Sequence, residues 1–331
     1  MKAVAAIWLS LILALVPGCT SDEQKPQGWV DDDVSFVADG LTIHGSYRHE
    51  HDSDPGPAAL LISESGATDR NGDNNVAGAI GNMRQLAELL SDRDVASLRY
   101  DKVGTGKTGL GPYAKRPTDV ISATYTQGAN AALQFLAEQP GTDKARISVY
   151  ALGEGTIHAM SLATQVTPGS PKIHSLGLFQ PLPGRYLDII TGRVRASGAP
   201  ETLATWLAAV DQVRTKGTAP AQLPEGLSAI LNPGNVKAVV EADKIDPLAL
   251  AAKVPAGTPV LLTCSESDSQ AKCDAEQPLI DALKHTALTV VELKGVNHVL
   301  RDDPSDNVAN YAKQDPLSPQ LVSALDGFVT K

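Results

Sequence analysis

The stretch VYALGEGTIHAM, residues 149–160, decides the fold, because its pattern changes from strand to helix across a short turn of small residues. The β-branched and aromatic run before the turn predicts a buried strand, and the residues after Gly155 predict a helix. A turn this tight presents the residue at its apex beyond the end of the strand. That residue is Gly153, which has no side chain to present.

Outward from this turn, strand-like and helix-like segments alternate along the chain. Asp39 and Gly40 predict a tight turn between the first two strands. Predicted strands cover residues 34–36, 41–47, 58–62, 95–100, 146–152, 173–179, 259–263 and 288–293, and predicted helices include residues 77–91, 117–139 and 317–329. This alternation favours an α/β fold with a mostly parallel sheet that is covered by helices on both faces.

Between residues 181 and 254 the pattern loosens into helical pieces that contain Ala, Pro and Gly. Trp206, Leu207 and Val210 are predicted to share one helix face. Because the segment is too long for a plain connection, we interpret residues of about 183–254 as a helical cap insertion over a site. A loosely folded insertion is the alternative.

The first 18 residues predict an export signal. An apolar run over residues 3–16 follows Met1 and Lys2, and it is too short for a comfortable transmembrane helix. The residues before Cys19 resemble a bacterial lipobox, which implies cleavage at that point and lipidation of Cys19. Residues 19–30 would then form the lipidated tether, and residues 31–331 the folded domain. An ordinary secreted protein is the alternative, because Pro17 is unusual in a lipobox.

Composition narrows the location and the partners. The formal net charge is -10 and no cluster of Lys and Arg stands out, so we expect no nucleic-acid partner. We expect the protein in the cell envelope, anchored to the cell membrane on its extracytoplasmic face. In that oxidising compartment Cys264 and Cys273 predict a disulfide that spans Asp268, and two unrelated thiols are the alternative.

Two further segments look like cofactor sites and are not expected to be. The glycine-rich run YDKVGTGKTG, residues 100–109, has Asp101 where a phosphate-binding loop needs glycine. The run HEHD, residues 49–52, is dense in metal ligands, but we interpret it as a solvated charged turn between strands. We therefore predict neither a metal nor a cofactor.

Candidate functional residues follow three other predicted strands. Asp268 and His298 each lie just beyond a strand, where ligands bind in open α/β sheets. There, Asp268 could orient His298 as a general base. Ser65 and Gly66 lie in a small-residue loop that would let a substrate carbonyl approach main-chain N–H groups. An ordinary turn, with nearby polar side chains as local caps, is the alternative for that loop.

Four segments together resemble the bacterial α/β-hydrolase family of esterases related to dienelactone hydrolases and acylaminoacyl-peptidase-like enzymes. They are SESGATDRNGD (63–73), RYDKVGTGKTG (99–109), ESDSQ (266–270) and GVNHVL (295–300). The resemblance covers nearly the whole chain from Val34, and the cap is its least similar part. It implies an α/β-hydrolase fold, a triad that includes Asp268 and His298, and an oxyanion hole near Ser65, Gly66 and Glu154.

The chain departs from that family at two positions. Aligned on the family's Gly-x-Ser-x-Gly turn, Gly153 occupies the position of the serine nucleophile. Glycine keeps the strained turn possible but removes the attacking oxygen. Glu64 lies where the family tends to have glycine, and a carboxylate there would disfavour a developing oxyanion. Loss of the serine of a triad costs on the order of a million-fold in turnover.

The sequence therefore predicts a membrane-anchored pseudoenzyme that binds a small acyl or ester-like ligand or a partner. Asp268 and His298 would then be triad remnants that contact a ligand, assist a bound water or have no present use. The alternative is an active serine esterase or peptidase-like hydrolase with a misassigned nucleophile. Glu154, Ser148 and Ser161 are the residues considered for that role. A third alternative is an envelope domain that binds no ligand.

Overall fold

The computed structural model describes residues 28–51, 54–64, 66–165, 169–197 and 199–329. The predicted signal peptide, Cys19 and Ser65 lie outside the described residues. Within the described ranges, no helix combines the length and the apolar character needed to cross a membrane.

In this part of the chain, an eight-stranded sheet forms the centre of the molecule. The strands are β1 Trp29–Ala38, β2 Leu41–Glu50, β3 Gly56–Ile62, β4 Ala96–Tyr100, β5 Thr142–Leu152, β6 Ile173–Phe179, β7 Pro259–Cys264 and β8 Ala287–Glu292. Their order is β1-β2-β4-β3-β5-β6-β7-β8. The β1–β2 and β2–β4 pairs are antiparallel and the other pairs are parallel, which confirms a mostly parallel sheet.

Helices cover both faces of this sheet. They are α1 Asn82–Ser91, α2 Ser122–Ala137, α3 Gly155–Thr164, α4 Tyr186–Ala196, α5 Pro200–Lys216, α6 Leu227–Ile230, α7 Val236–Lys244, α8 Pro247–Ala251, α9 Cys273–Leu283, α10 Val308–Tyr311 and α11 Pro319–Val329. Along β3, Leu60 packs in the cluster that contains residues of α2, α3 and α9, whereas Leu61 packs with α1 and α11. Successive strand residues point to opposite faces, so a strand covered on both sides is a continuous apolar run.

Two helices begin later than the sequence predicted. The expected helix over residues 77–91 begins at Asn82, because the Asn74 side chain accepts the N–H groups of Val76 and Ala77 in a turn. The helix expected to open at Pro117 begins at Ser122, after a 3-10 turn over Pro117–Asp119. Side-chain bonds to the backbone compete locally with helix formation, and apolar spacing does not report them.

The insertion between β6 and β7 folds around its own apolar cluster. Trp206 is fully buried there, and its Nε1 donates to Thr191 Oγ1 at 2.9 Å. Leu207 is 43% exposed, so the expectation that it shares the buried face was wrong. Adjacent residues of a helix point about 100° apart, whereas Trp206 and Val210 are one turn apart. The role of the insertion as a cap stays a prediction.

A charged contact also ties the insertion together. Asp243 of α7 is buried and accepts hydrogen bonds from Arg185, from Arg214 of α5 and from the Leu187 N–H of α4. The two guanidinium groups and the N–H satisfy a carboxylate that would otherwise be costly to bury. The insertion is therefore an ordered helical unit.

The start of α3 packs against the end of β3 with no room for a side chain. A Cβ on Gly155 would lie 2.8 Å from the carbonyl oxygens of Ile62 and Ser63. Real Cβ atoms do not approach oxygen that closely, so the backbone would have to move. This contact sets the direction in which α3 leaves the turn at Gly153.

We expect Gly155→Ala to lower the free energy of unfolding by about 1–3 kcal/mol through overpacking. The matched control is Gly192→Ala in α4, where nothing lies within 4 Å of the added Cβ. That control should raise stability by about 0.5–1 kcal/mol, because alanine loses less backbone entropy in a helix. Urea denaturation measures both. Wild-type stability in Gly155→Ala would contradict this packing.

Candidate functional site

The sequence-predicted acid and base meet at the carboxyl ends of the parallel strands. Asp268 follows β7 and His298 follows β8, and both side chains are almost completely buried. Asp268 Oδ2 lies 2.8 Å from His298 Nδ1. The structure therefore forms the acid–histidine contact that the sequence order predicted.

The loop that carries Asp268 is held by a covalent bond and by main-chain hydrogen bonds. A disulfide joins Cys264, the last residue of β7, to Cys273, the first residue of α9, which confirms the predicted bridge. Asp268 Oδ1 accepts the N–H groups of Gln270 at 2.7 Å and Ala271 at 3.1 Å. One carboxylate oxygen is thus used to shape the loop, and the other faces His298.

The loop that carries His298 is fixed in a similar way. The His298 N–H donates to Asp306 Oδ1 at 2.9 Å, and the Tyr311 hydroxyl donates to the same oxygen. Gln180, directly after β6, donates from Nε2 to the Asn297 carbonyl at 2.9 Å. These contacts orient the imidazole before any ligand is bound.

Gly153 forms the apex of the turn between β5 and α3. Its φ of +54° is in the left-handed region, which glycine adopts without a steric penalty. Its N–H donates to the Phe179 carbonyl at 3.0 Å. A Cβ built on Gly153 would lie 1.5 Å from Glu64 Oε2, so the carboxylate of another residue fills the space beside this apex.

That carboxylate completes a three-residue chain with the acid and the histidine. Glu64, two residues beyond β3, places Oε2 3.0 Å from His298 Nε2. The imidazole therefore lies between two carboxylates. Sequence reasoning treated Glu64 only as an unfavourable neighbour of an oxyanion. The sequence did show both departures from the family pattern, the lost side chain at 153 and the gained carboxylate at 64. It did not show that the two positions are in contact.

The two carboxylates determine the charge of His298. Burial alone would lower the pKa of its imidazole, but the negative charges of Asp268 and Glu64 outweigh burial and raise the pKa well above its ordinary value. At neutral pH both ring nitrogens are then protonated and both donate to carboxylates. An imidazolium in this state has no lone pair with which to act as a general base.

A buried lysine, Lys102, contacts the main chain of Glu64. Lys102, directly after β4, donates from Nζ to the Glu64 carbonyl, and Nζ lies 5.8 Å from the centre of the Tyr125 ring. Burial lowers the pKa of Lys102 and raises that of Glu154, which precedes α3. Lys102 therefore fixes the main chain that carries the Glu64 carboxylate.

His158 of α3 differs from His298 in its surroundings. Its Nδ1 lies 2.9 Å from Thr126 Oγ1, and no carboxylate contact is recorded for it among the described residues. Burial, with a smaller contribution from the charge of Lys102, lowers the pKa of His158 to about 3. At neutral pH, His158 is thus neutral and His298 is charged, because only His298 lies between two carboxylates.

A cleft of about 340 Å³ opens beside Glu64 and His298. The apolar side chains that line it are Ala67, Val76, Ala77, Ile80, Leu152, Val299 and Val308. Gly66, one of the predicted oxyanion-hole residues, also lines the cleft, and Glu154 lies next to Gly153 at the start of α3. Their role in an oxyanion hole stays a prediction, as does that of Ser65.

The two cofactor-like segments have structural roles. Asp101 accepts hydrogen bonds from Arg70 and from the Lys107 N–H, and a Cβ on Gly106 would overlap its carboxylate. The glycine-rich loop thus wraps around its own acidic residue. His49 belongs to the end of β2, not to a turn as expected, and its ring stacks on Tyr47.

Comparison with known proteins identifies the fold. Neither the protein-family models nor the curated proteins include a match to this chain. Among solved structures, DcsB in complex with its substrate analogue matches with a TM-score of 0.59 and 14% identity, over 91% of this chain and 98% of that chain. A Pyrococcus furiosus esterase matches with a TM-score of 0.55 and 18% identity, over 91% of this chain and 90% of that chain.

A dienelactone hydrolase-like promiscuous phosphotriesterase from metagenomic libraries also matches, with a TM-score of 0.51 and 13% identity over 92% and 97% of the two chains. At these identities the matches show the fold alone. Together with the strand order they confirm the α/β-hydrolase fold.

We expect the stability contributions of the two histidines to depend on pH in opposite ways. The pKa of His298 is raised on folding, so its contribution is complete below the unfolded-state pKa of about 6.5 and is lost as the pH rises through the folded-state pKa. The pKa of His158 is lowered to about 3, so its contribution is present above about 6.5 and is lost as the pH falls toward 3.

Urea denaturation of His298→Gln and His158→Gln tests these opposite pH dependences. The free energy of unfolding is measured between pH 4 and 9 in steps of about one pH unit. At pH 6, His298→Gln should cost about 3–5 kcal/mol, because it leaves buried carboxylates without their cation. Its deficit relative to wild type should shrink as the pH rises. NMR titration should show a charged His298 and a neutral His158 at neutral pH. A neutral His298 there would contradict the assignment.

Proposed function

We propose that this protein is a membrane-anchored α/β-hydrolase-like lipoprotein that binds a small ligand and has lost serine-hydrolase chemistry. One observation carries the proposal. The Glu64 carboxylate occupies the space that a nucleophile side chain at Gly153 would need, and it contacts the histidine that would have activated that nucleophile.

Three features of the site support the loss of chemistry. The turn has no attacking atom at Gly153, and the imidazole of His298 carries a proton that a general base must lack. Glu64 also brings a negative charge to the region where an acyl-transfer transition state would develop its own negative charge. Without a nucleophile, only the residual acceleration from binding would remain, about a thousandfold over water.

The retained cleft supports ligand binding. Its volume of about 340 Å³ is at the lower end of the range for small-molecule sites, and its walls are mainly apolar. The loops that hold Asp268 and His298 are rigidly bonded although the turn lacks a nucleophile. A preorganised polar group beside an apolar cleft is what selective binding of a small molecule requires.

We expect fluorophosphonate labelling to separate the roles of the two departures. Wild type should remain unlabelled because residue 153 has no hydroxyl. Gly153→Ser should also remain unlabelled, because the Glu64 carboxylate fills the adjacent space and contacts the His298 Nε2 that would have to activate the new serine. The double variant Glu64→Gly with Gly153→Ser should be labelled on the introduced serine and should hydrolyse a short nitrophenyl ester. Glu64→Gly alone is the matched control and should do neither. Label and ester hydrolysis in wild type would refute the proposal.

A carboxylate-dependent hydrolase is the second candidate, and the position of Glu64 favours it. Oε2 lies 3.0 Å from His298 Nε2, so the carboxylate is placed where a nucleophile would be. The same assay distinguishes this candidate: wild type would hydrolyse the ester without a fluorophosphonate label, and Glu64→Gln would abolish turnover. A serine nucleophile has less support, since Ser148 Oγ is buried in the sheet 2.8 Å from Ser175 Oγ.

The anchoring part of the proposal rests on the amino-terminal sequence. We expect Cys19→Ala to abolish incorporation of a clickable fatty acid and to shift the protein from the membrane fraction to the soluble fraction. Cys264→Ala with Cys273→Ala is the matched control, because it removes cysteines without touching the lipobox. A wild-type protein that carries no lipid and fractionates as soluble would show an ordinary secreted protein.

A further inference from the structure

The ionised groups at the cleft give it a negative character. Glu64 and His298 line the cleft, and Asp268 lies behind the imidazole. With the imidazole protonated, these three groups together carry one negative charge. The side chain of Glu64 is 18% exposed, whereas those of His298 and Asp268 are 2% and 0% exposed. A ligand in the cleft therefore meets the carboxylate rather than the cation.

The nearest buried lysine does not reverse this character. Lys102 Nζ is directed at the Glu64 main-chain carbonyl and lies near the Tyr125 ring. Lys102 and Tyr125 line a separate, much smaller cavity of about 10 Å³. Lys102 does not line the larger cleft, although its charge and that of Glu64 attract each other.

Another acidic group near the cleft, Asp306, adds to its negative charge. Asp306 accepts the N–H groups of His298 and Ser269 and the hydroxyl of Tyr311, and the pKa of its carboxyl is lowered by these bonds despite partial burial. Tyr311 itself lines the cleft and directs its hydroxyl proton to Asp306. The cleft therefore has a carboxylate at Glu64 and a second carboxylate behind its wall.

The rim of the cleft includes exposed apolar side chains beside the exposed polar Asn75. Val76 is 89% exposed and Val308 is 46% exposed, and both line the cleft together with the buried Ile80 and Val299. Large exposed apolar side chains that adjoin a cleft are typical of a binding surface. A ligand that covered them would place its apolar part at the rim and its polar end near Glu64.

We propose that the cleft binds an apolar molecule with a cationic ammonium end, and that Glu64 excludes acyl and carboxylate ligands. This inference rests on the proposed function and names a ligand with a cationic end in place of the acyl or ester-like ligand that the sequence predicted. In a partly desolvated cleft, a carboxylate binds an ammonium group through a charge-assisted hydrogen bond, and it repels a carboxylate or a carbonyl oxygen. A Glu64 carboxylate in the space that a side chain at 153 would need would then change the class of ligand, not merely end catalysis.

Calorimetric titration of the purified full-length protein with hexylamine, hexanol and hexanoate tests the proposal at constant pH and salt. The three probes share an apolar chain and differ only in the end group. We expect hexylamine to bind most tightly and hexanoate most weakly. Glu64→Gln should weaken hexylamine about ten- to a hundredfold and should reduce the difference between hexylamine and hexanol, because it removes a charged hydrogen-bond acceptor.

The matched control is Glu266→Gln, which removes the same charge from an exposed position beyond β7. It should leave hexylamine binding unchanged, which separates the Glu64 contact from attraction by the acidic protein as a whole. Hexanoate binding as tight as hexylamine, or equal loss in both variants, would overturn the proposal, as would binding of none of the probes. Failure of the proposed function is a separate outcome, ester hydrolysis by the wild-type protein.

Discussion

The contact between Glu64 and His298 depends on the missing side chain of Gly153, and the interpretation of the whole site depends on that contact. Glu64 Oε2 lies 3.0 Å from the imidazole and 1.5 Å from where a Cβ on residue 153 would be. The two departures from the family pattern are therefore one steric exchange. A side chain at 153 and the carboxylate of Glu64 cannot occupy the same space.

Around this contact, an acid and a histidine meet at the carboxyl ends of the strands of an α/β-hydrolase fold. The disulfide and the N–H groups around Asp268 still hold an acid against His298, and Asp306 still holds the His298 main chain. In a triad these contacts orient a base. Here they hold an imidazolium between two carboxylates, an arrangement that favours a fixed charge over proton transfer.

Elements with strong periodicity were predictable, and local polar contacts were not. The predicted strand over residues 173–179 has those same bounds in the structure, because a buried parallel strand is a continuous apolar run. The start of α1 was placed five residues too early, because the Asn74 turn does not interrupt the apolar spacing. Leu207 was placed on the wrong face because a short apolar run does not define a helix phase.

The sequence by itself determined the α/β sheet, the Cys264–Cys273 pairing and the absence of a serine at the turn, because each is a matter of residue identity or spacing along one segment. Only the tertiary structure decided that Glu64 fills the space at Gly153 and contacts His298. These residues follow β3, β5 and β8 along the chain, and Glu64 is 234 positions from His298. A side chain of glutamate length can turn toward solvent or toward the turn, and packing selects between these directions.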